Sequence, residues 1–277
     1  MNKWIFALAC LWLTSCNTKK ADQVAENNPP VVLEKVPYSL DAPTETYTLP
    51  KELAEISGLS WYKKNKLLCI QDEEAEAFVF DLAKKKVTES YGFGGYGDYE
   101  GIEYVDGQIY ALKSNGDLFR FKPGSKEIGR TPTDLPGKIE FEGLGYEPKS
   151  GRLLLAVKES ERKNEKVVYS FHIKDQYMLK EIVLKNEQLE EAGITPKSFK
   201  PSGIAVHPQS GDVYWLTSTG KRVLITDRKG RIKASAPLDE KLLPQPEGIC
   251  FSPEGDLYIA TEAGSKKEKG KILKFAR

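Results

Sequence analysis

Apolar residues in this chain come in short runs, and the runs come in sets. "LLCIQ", "IYALK", "LLLAVK", "VYWLTS" and "LYIATE" are each five or six residues long. Each follows a Gly-aliphatic segment and a turn rich in Gly, Asn, Asp, Pro or Ser. Runs this short, bounded by turn residues, predict strands joined by tight hairpins rather than helices. Aligning on the Gly before the aliphatic residue gives five units: "ISGLSWYKKNKLLCIQDE", "YEGIEYVDGQIYALKS", "FEGLGYEPKSGRLLLAVKE", "PSGIAVHPQSGDVYWLTS" and "PEGICFSPEGDLYIATE". The aligned glycines are Gly58, Gly101, Gly143, Gly203 and Gly248, at intervals of 43, 42, 60 and 45 residues. A repeat of this length built of four short strands predicts a propeller blade. The expected fold is therefore all-β: a five-bladed β-propeller with four-stranded antiparallel blades.

The fifth unit carries three strands before the chain ends at Arg277. "TETYTLP", Thr44 to Pro50, supplies the missing outer strand, so the N-terminal strand is expected to pair with "KILKFA" and close the ring. An unpaired edge there would be a liability. The longest interval holds "KNEQLEEAGITPKSFK", Lys185 to Lys200, with a helix start at Asn186 and a stop at Gly193. It predicts a short surface helix between blades three and four.

The N-terminus follows a different pattern. Lys3 precedes an apolar stretch from Trp4 to Leu13, too short for a stable membrane anchor. It ends in "LTSC", which resembles the lipobox of bacterial lipoproteins, with Cys16 as the lipidated residue. Residues 1–15 are then a signal peptide, 16–43 the lipidated Cys and a polar flexible tether, and 44–277 the propeller. This predicts a protein of the bacterial cell envelope, held at the inner or outer membrane by its lipid.

Lys and Arg total 41 against 40 Asp and Glu, a net charge of +1. Nothing here announces a nucleic-acid partner, and a monomer is expected. Cys69 and Cys250 fall in apolar strands and read as buried thiols. "GFGGYG", Gly92 to Gly97, matches a dinucleotide fingerprint, but a strand follows it where that fold needs a helix; it reads as a connection between blades. His172 and His207 have no second His or Cys at ligand spacing, so zinc is not indicated.

The residues before the aligned glycines are Ser57, Glu100, Glu142, Ser202 and Glu247. First strands of propeller blades line the axis, so these five are expected to ring it. Close carboxylates repel, by about 4 kcal/mol per pair at an effective dielectric of 20. Either Lys113 and Lys158, at the ends of second strands, reach back to Glu100 and Glu142, or a divalent cation sits among the oxygens, or the carboxylates are solvated. Oxygen donors without His or thiolate suit Ca²⁺.

"YEGIEY", "FEGLGY", "PSGIAV" and "PEGICF", after a lipobox and a polar tether, resemble the SdiA-regulated lipoprotein family, distant relatives of NHL-repeat propellers. The resemblance covers about residues 44–277. It implies a five-bladed propeller with a calcium site and no established activity. The first unit departs from the Glu pattern at Ser57, with Glu55 two residues earlier. The expected function is a non-enzymatic module that binds a small molecule or protein at the open face. The alternative is a calcium-dependent hydrolase of esters, lactones or phosphate esters, with the channel metal as Lewis acid and Asp72, Glu159 or Glu262 as base.

Overall fold

The computed structural model describes Met1 and residues 32–133, 135, 137–265 and 268–277. The apolar stretch from Trp4 to Leu13, Cys16 and the first half of the tether lie outside the described residues. Among the described residues no helix is long and apolar enough to cross a membrane.

Strand β1 (Glu45–Thr48) precedes the first blade. Blade 1 is β2 (Ile56–Lys63), β3 (Lys66–Gln71), β4 (Glu76–Asp81) and β5 (Lys86–Gly92). Blade 2 is β6 (Tyr99–Val105), β7 (Gln108–Lys113), β8 (Leu118–Phe121) and β9 (Ile128–Thr131). Blade 3 is β10 (Ile139–Glu147), β11 (Arg152–Ser160), β12 (Glu165–His172) and β13 (Tyr177–Lys185), followed by helix α1 (Asn186–Glu191). Blade 4 is β14 (Pro201–Val206), β15 (Val213–Thr217), β16 (Arg222–Thr226) and β17 (Ile232–Pro237). Blade 5 is β18 (Gln245–Phe251), β19 (Leu257–Glu262) and β20 (Lys271–Phe275), with β1 as its outer strand. The first strands contact one another in ring order, and β18 meets β2 to close the circle.

The ring closes as the strand count predicts. β1 lies antiparallel to β20, with Glu45 opposite Lys274 and Thr48 opposite Lys271. The Glu45 and Lys274 side chains approach to 3.8 Å. The helix also starts where expected: the Gln188 side chain accepts the backbone N–H of Lys185 at 2.9 Å, and Gly193 turns the chain away at φ +71°.

Five apolar clusters fill the five interfaces between blades. The second strands explain why their sequences are continuous apolar runs rather than alternating ones. In β3, Leu67 and Cys69 pack towards blade 5, while Leu68 and Ile70 pack towards blade 2. Both faces are buried, so the run stays apolar from Leu67 to Ile70. Exposure returns at the outer strands: β5 has no buried residue.

The end of the expected tether is part of the fold. Val36, Tyr38 and Leu40 are buried against blades 4 and 5. The Tyr38 hydroxyl donates to the Gly255 carbonyl at 2.6 Å, and the Glu34 N–H donates to the Lys233 carbonyl at 2.8 Å. The alternating apolar residues of "VPYSL" cover an apolar surface left by the two blades. Residues 34–40 of the expected tether therefore pack on the ring.

Candidate functional site

The aligned glycines stand in a ring of close backbone contacts. A methyl group on Gly58 would lie 2.9 Å from the Gly101 Cα, and one on Gly143 would lie 3.0 Å from the Gly203 Cα. On Gly101 it would meet the Leu144 Cβ at 2.6 Å; on Gly248, the Leu59 Cβ at 2.8 Å. Five inner strands can converge this closely only if their contact residue has no side chain.

Each inner strand breaks register at this point. The shift falls between Ile56 and Gly58, Tyr99 and Gly101, Phe141 and Leu144, Pro201 and Gly203, and Pro246 and Ile249. The residue before each Gly is therefore left out of the ladder, as in a β-bulge. Bulges re-aim a side chain and commonly border functional sites. This accounts for the repeated Glu-Gly and Ser-Gly pairs.

The five bulged side chains do three different things. Ser57 and Ser202 are buried and latch neighbouring blades. The Ser57 hydroxyl donates to the Tyr99 carbonyl at 2.6 Å, and that of Ser202 to the Pro246 carbonyl at 2.7 Å. Each acceptor directly precedes a bulged Glu, so the two serines fix the backbone that presents Glu100 and Glu247. Glu142 is buried and ion-paired with Lys158, whose ammonium also lies 3.2 Å from Glu140. Glu100 and Glu247, with Ser57, line a small axial cavity of about 10 Å³, room for the centre of a single water-sized body.

The Lys113–Glu100 pair, one of the three alternatives for the ring, is not formed. Lys113 stands opposite Tyr99 in the ladder, with its ammonium 5.7 Å from the centre of that ring. In blade 3 the strand β11 has its own bulge. Glu140 pairs with Glu159 and Phe141 with Val157, so Lys158 is passed over and meets the bulged Glu142.

Glu100 is left short of positive charge. Burial, a hydrogen bond with Asp98, and the charges of Asp98 and Glu247 push its carboxyl up to about 9. Glu247 rises to about 7 by burial and the charge of Glu262, despite the opposing Ser218 hydroxyl and Lys158 and Lys221 ammonium groups. Glu262 rises to about 7 by burial and the charges of Asp72 and Glu55. Asp72 rises to about 6 by burial, then by Glu55; its Oδ1 is buried without a hydrogen-bond partner. These acids come from blades 5, 1 and 2, at the end of the ring where the inner strands begin. Sequence reasoning found Glu100, Glu247, Asp72 and Glu262 separately, but not that they share one electrostatic neighbourhood. Glu159 is different: its ion pair with Lys200 holds it below the usual carboxylate range.

The donors fit a hard, oxygen-seeking cation better than a soft one. His172 lies on β12 and His207 is stacked on Tyr214, both in other parts of the fold. Cys69 and Cys250 are buried in the apolar cluster between blades 5 and 1. Among the described residues no three His, Cys, Asp or Glu side chains converge as a ready-made metal-binding group. The fit therefore rests on Glu100 and Glu247, while Glu142 is taken up by its ion pair with Lys158.

Among solved structures, the fold is similar to Myxococcus xanthus glutaminyl cyclase, with a TM-score of 0.60 at 15% identity, covering 85% of this chain and 95% of that one. A luciferin-regenerating enzyme gives a TM-score of 0.54 at 11% identity, covering 85% and 96%. Regucalcin from Agrobacterium tumefaciens, a calcium-binding protein, gives 0.53 at 12% identity, covering 83% and 93%. At these identities the likeness is one of fold. No curated protein matches the chain in sequence. The SdiA-regulated family profile matches residues 39–264, which spans all five bulged pairs, and the chain belongs to that family.

Proposed function

We propose that this protein is a non-enzymatic binding module, tethered to a bacterial membrane by lipid on Cys16, whose channel mouth holds a Ca²⁺ ion. The observation that carries the reading is the state of Glu100 and Glu247. Both line one water-sized axial cavity, and the charge of Glu247 raises the demand of Glu100 for a proton or a cation. A divalent ion would supply the missing charge, and an all-oxygen donor set suits calcium. The latches from Ser57 and Ser202 hold the two carboxylates in place beforehand.

The test is calorimetry and thermal melting with calcium or chelator, on the wild type and on an E100Q/E247Q variant. Bound calcium should stabilise the wild type by about 2.7 kcal/mol at 100 times its dissociation constant. The variant should lose that response. Identical wild-type melting with calcium and chelator, in protein free of metal by elemental analysis, would defeat the cation reading. The anchor is tested separately: labelled palmitate incorporated by the wild type and still by C16A would exclude Cys16.

One observation favours the hydrolase as a second reading. Asp72 and Glu262 border the mouth and are pushed up to about 6 and about 7, the range in which a general base works near neutral pH. Calcium-dependent turnover of an aryl ester or lactone, lost in E262Q or D72N, would select it. No turnover across such a panel would leave the binding module.

A further inference from the structure

A second concave site lies at the same end of the ring, between blades 3 and 4. It is a cavity of about 770 Å³, within the range of small-ligand pockets. One wall is the β11–β12 hairpin, with Lys158, Arg162, Lys163 and Lys166. The other is the segment after α1, with Lys197 and Lys200. Glu159 and Glu165 are the acids in the lining, so cations outnumber acids three to one.

Ion pairs inside and beside the cavity account for half of those cations. Lys158 is held by Glu142 and Lys200 by Glu159. Arg162 lies 3.6 Å from Glu165, which is bound more closely by Lys180 at 2.5 Å. Lys163, Lys166 and Lys197 have no acid within ion-pair distance among the described residues. Of these, Lys166 is half-buried; desolvation and the neighbouring Lys200 charge hold its ammonium below the usual lysine range. A partly desolvated ammonium without a counter-ion is costly unless something else supplies the negative charge.

A second kind of group points the same way. Asn186 is among the residues that line the cavity. Its amide nitrogen donates to the Lys163 carbonyl at 3.1 Å, while its Oδ1 is buried without a partner. A buried amide oxygen in that state lacks a donor such as a hydroxyl.

We propose that this cavity binds a small hydroxylated anion, a sugar acid or sugar phosphate, with Lys163, Lys166 and Lys197 gripping the carboxylate or phosphate and Asn186 Oδ1 accepting from a hydroxyl. The site is separate from the acidic mouth, and the proposal does not depend on a cation being bound there. The two meet at Lys158, which lines this cavity and pairs with Glu142 at the other.

The experiment is calorimetry on the full chain at low salt, with D-glucuronate, glucose 6-phosphate, inorganic phosphate and neutral glucose as probes. Saturable binding of at least one sugar anion, and none of glucose, is expected. Inorganic phosphate should bind more weakly than glucose 6-phosphate, because it leaves Asn186 unpaired. A K166Q/K197Q variant, checked for an unchanged melting curve, should weaken sugar-anion binding about tenfold or more, which is 1.4 kcal/mol or more. N186L should weaken glucose 6-phosphate towards the affinity of inorganic phosphate. The E100Q/E247Q variant should bind the sugar anions like the wild type, which separates this site from the mouth. Absence of binding by either sugar anion overturns the proposal, as does equal binding by K166Q/K197Q. Wild-type binding only to phosphatidylglycerol vesicles would replace the soluble ligand with a lipid headgroup and overturn it too.

Discussion

Lys158 is ion-paired with Glu142 at the end of the ring where Glu100 and Glu247 line the axial cavity. The ammonium also acts to lower Glu100, Glu247 and Glu262. It is the built-in counter-charge of the mouth, and it would compete for Glu142 with a metal bound there.

Replacing it should therefore have two opposite effects. In K158Q without metal, buried Glu142 loses its partner. Removing one member of a buried pair costs about 3–5 kcal/mol, less here because Lys158 is partly exposed. The melting temperature should fall. Added calcium should then restore more stability than it adds to the wild type, because three carboxylates are free to bind it. A calcium increment no larger in K158Q than in the wild type, measured by differential scanning calorimetry, would show that Lys158 and the metal do not compete.

The glycine ring gives a steric prediction. Gly101→Ala places a methyl 2.6 Å from the Leu144 Cβ and 2.7 Å from the Leu144 backbone nitrogen. Neither the backbone nor a Cβ can swing aside. Overpacking of this kind costs about 1–3 kcal/mol, and more where the backbone must move. Gly107→Ala is the control. It sits in a hairpin at φ +82° with nothing within 4 Å of the new methyl, so its cost is conformational and about 1 kcal/mol. Urea denaturation should rank Gly101→Ala well below Gly107→Ala; the reverse order would mean that the inner strands spread easily.

The segment before the ring should matter for stability in two steps. A chain starting at Thr44 keeps β1 but loses Val36, Tyr38 and Leu40 and the Tyr38–Gly255 hydrogen bond. Burying one large apolar side chain stabilises by about 1.5–3 kcal/mol. Its melting temperature should lie clearly below that of a chain starting at Val32. A start at Lys51 also removes β1, exposes the edge of β20, and should lower it further. Equal melting of the Val32 and Thr44 starts would show that the covering segment contributes nothing.

Much of this fold was legible because its second strands are buried on both faces. "LLCIQ" and "VYWLTS" carry no alternation, and the turn residues cut them to strand length. The spare strand at Thr44–Pro50 was legible as the complement of a three-stranded last unit. "VPYSL" was missed because its charged and Pro-containing surroundings resemble a linker, and what it covers is formed by blades far along the chain. Lys113 and Lys158, the two candidates to reach back to the ring, differed for a local reason. Their positions in the repeat are equivalent, yet only β11 has a bulge that turns its Lys towards Glu142. A net charge of +1 also hid how the charges segregate. Acids from blades 5, 1 and 2 gather at the mouth, and lysines from either side of α1 gather in the cavity beside blade 3. The totals cancel, while the chain folds them into different places.

The acidic mouth also sets the sign of the pH dependence. Glu100 is pushed up to about 9, Glu247 and Glu262 to about 7, and Asp72 to about 6. Glu103, held between the Ser60 hydroxyl at 2.7 Å and the Tyr146 N–H at 3.1 Å, is pushed up to about 7 by desolvation. In the unfolded chain all five titrate near 4. Between about pH 4.5 and 9 the folded state thus holds more protons than the unfolded state, and stability must fall as pH rises through that window. This is the opposite of a protein whose carboxylates are well paired. Glu181, lowered through Arg228, Ser170 and Arg152 against its burial, acts in the opposite sense in the acid range, and so does the single imidazole of His207, held below its usual value by burial and Arg277, which five raised carboxyls outweigh. Two variants identify the source. E100Q should flatten the upper part of the slope, towards pH 9, and should be more stable than the wild type at pH 8. E103Q should flatten the part around pH 7. Saturating calcium should act like E100Q if the ion sits at the mouth, since it replaces the proton that Glu100 otherwise keeps. A melting temperature that is flat or rising from pH 5 to 9 in metal-free protein would show that the mouth is solvated enough to leave these carboxylates at ordinary values, and would remove the electrostatic basis for a cation there.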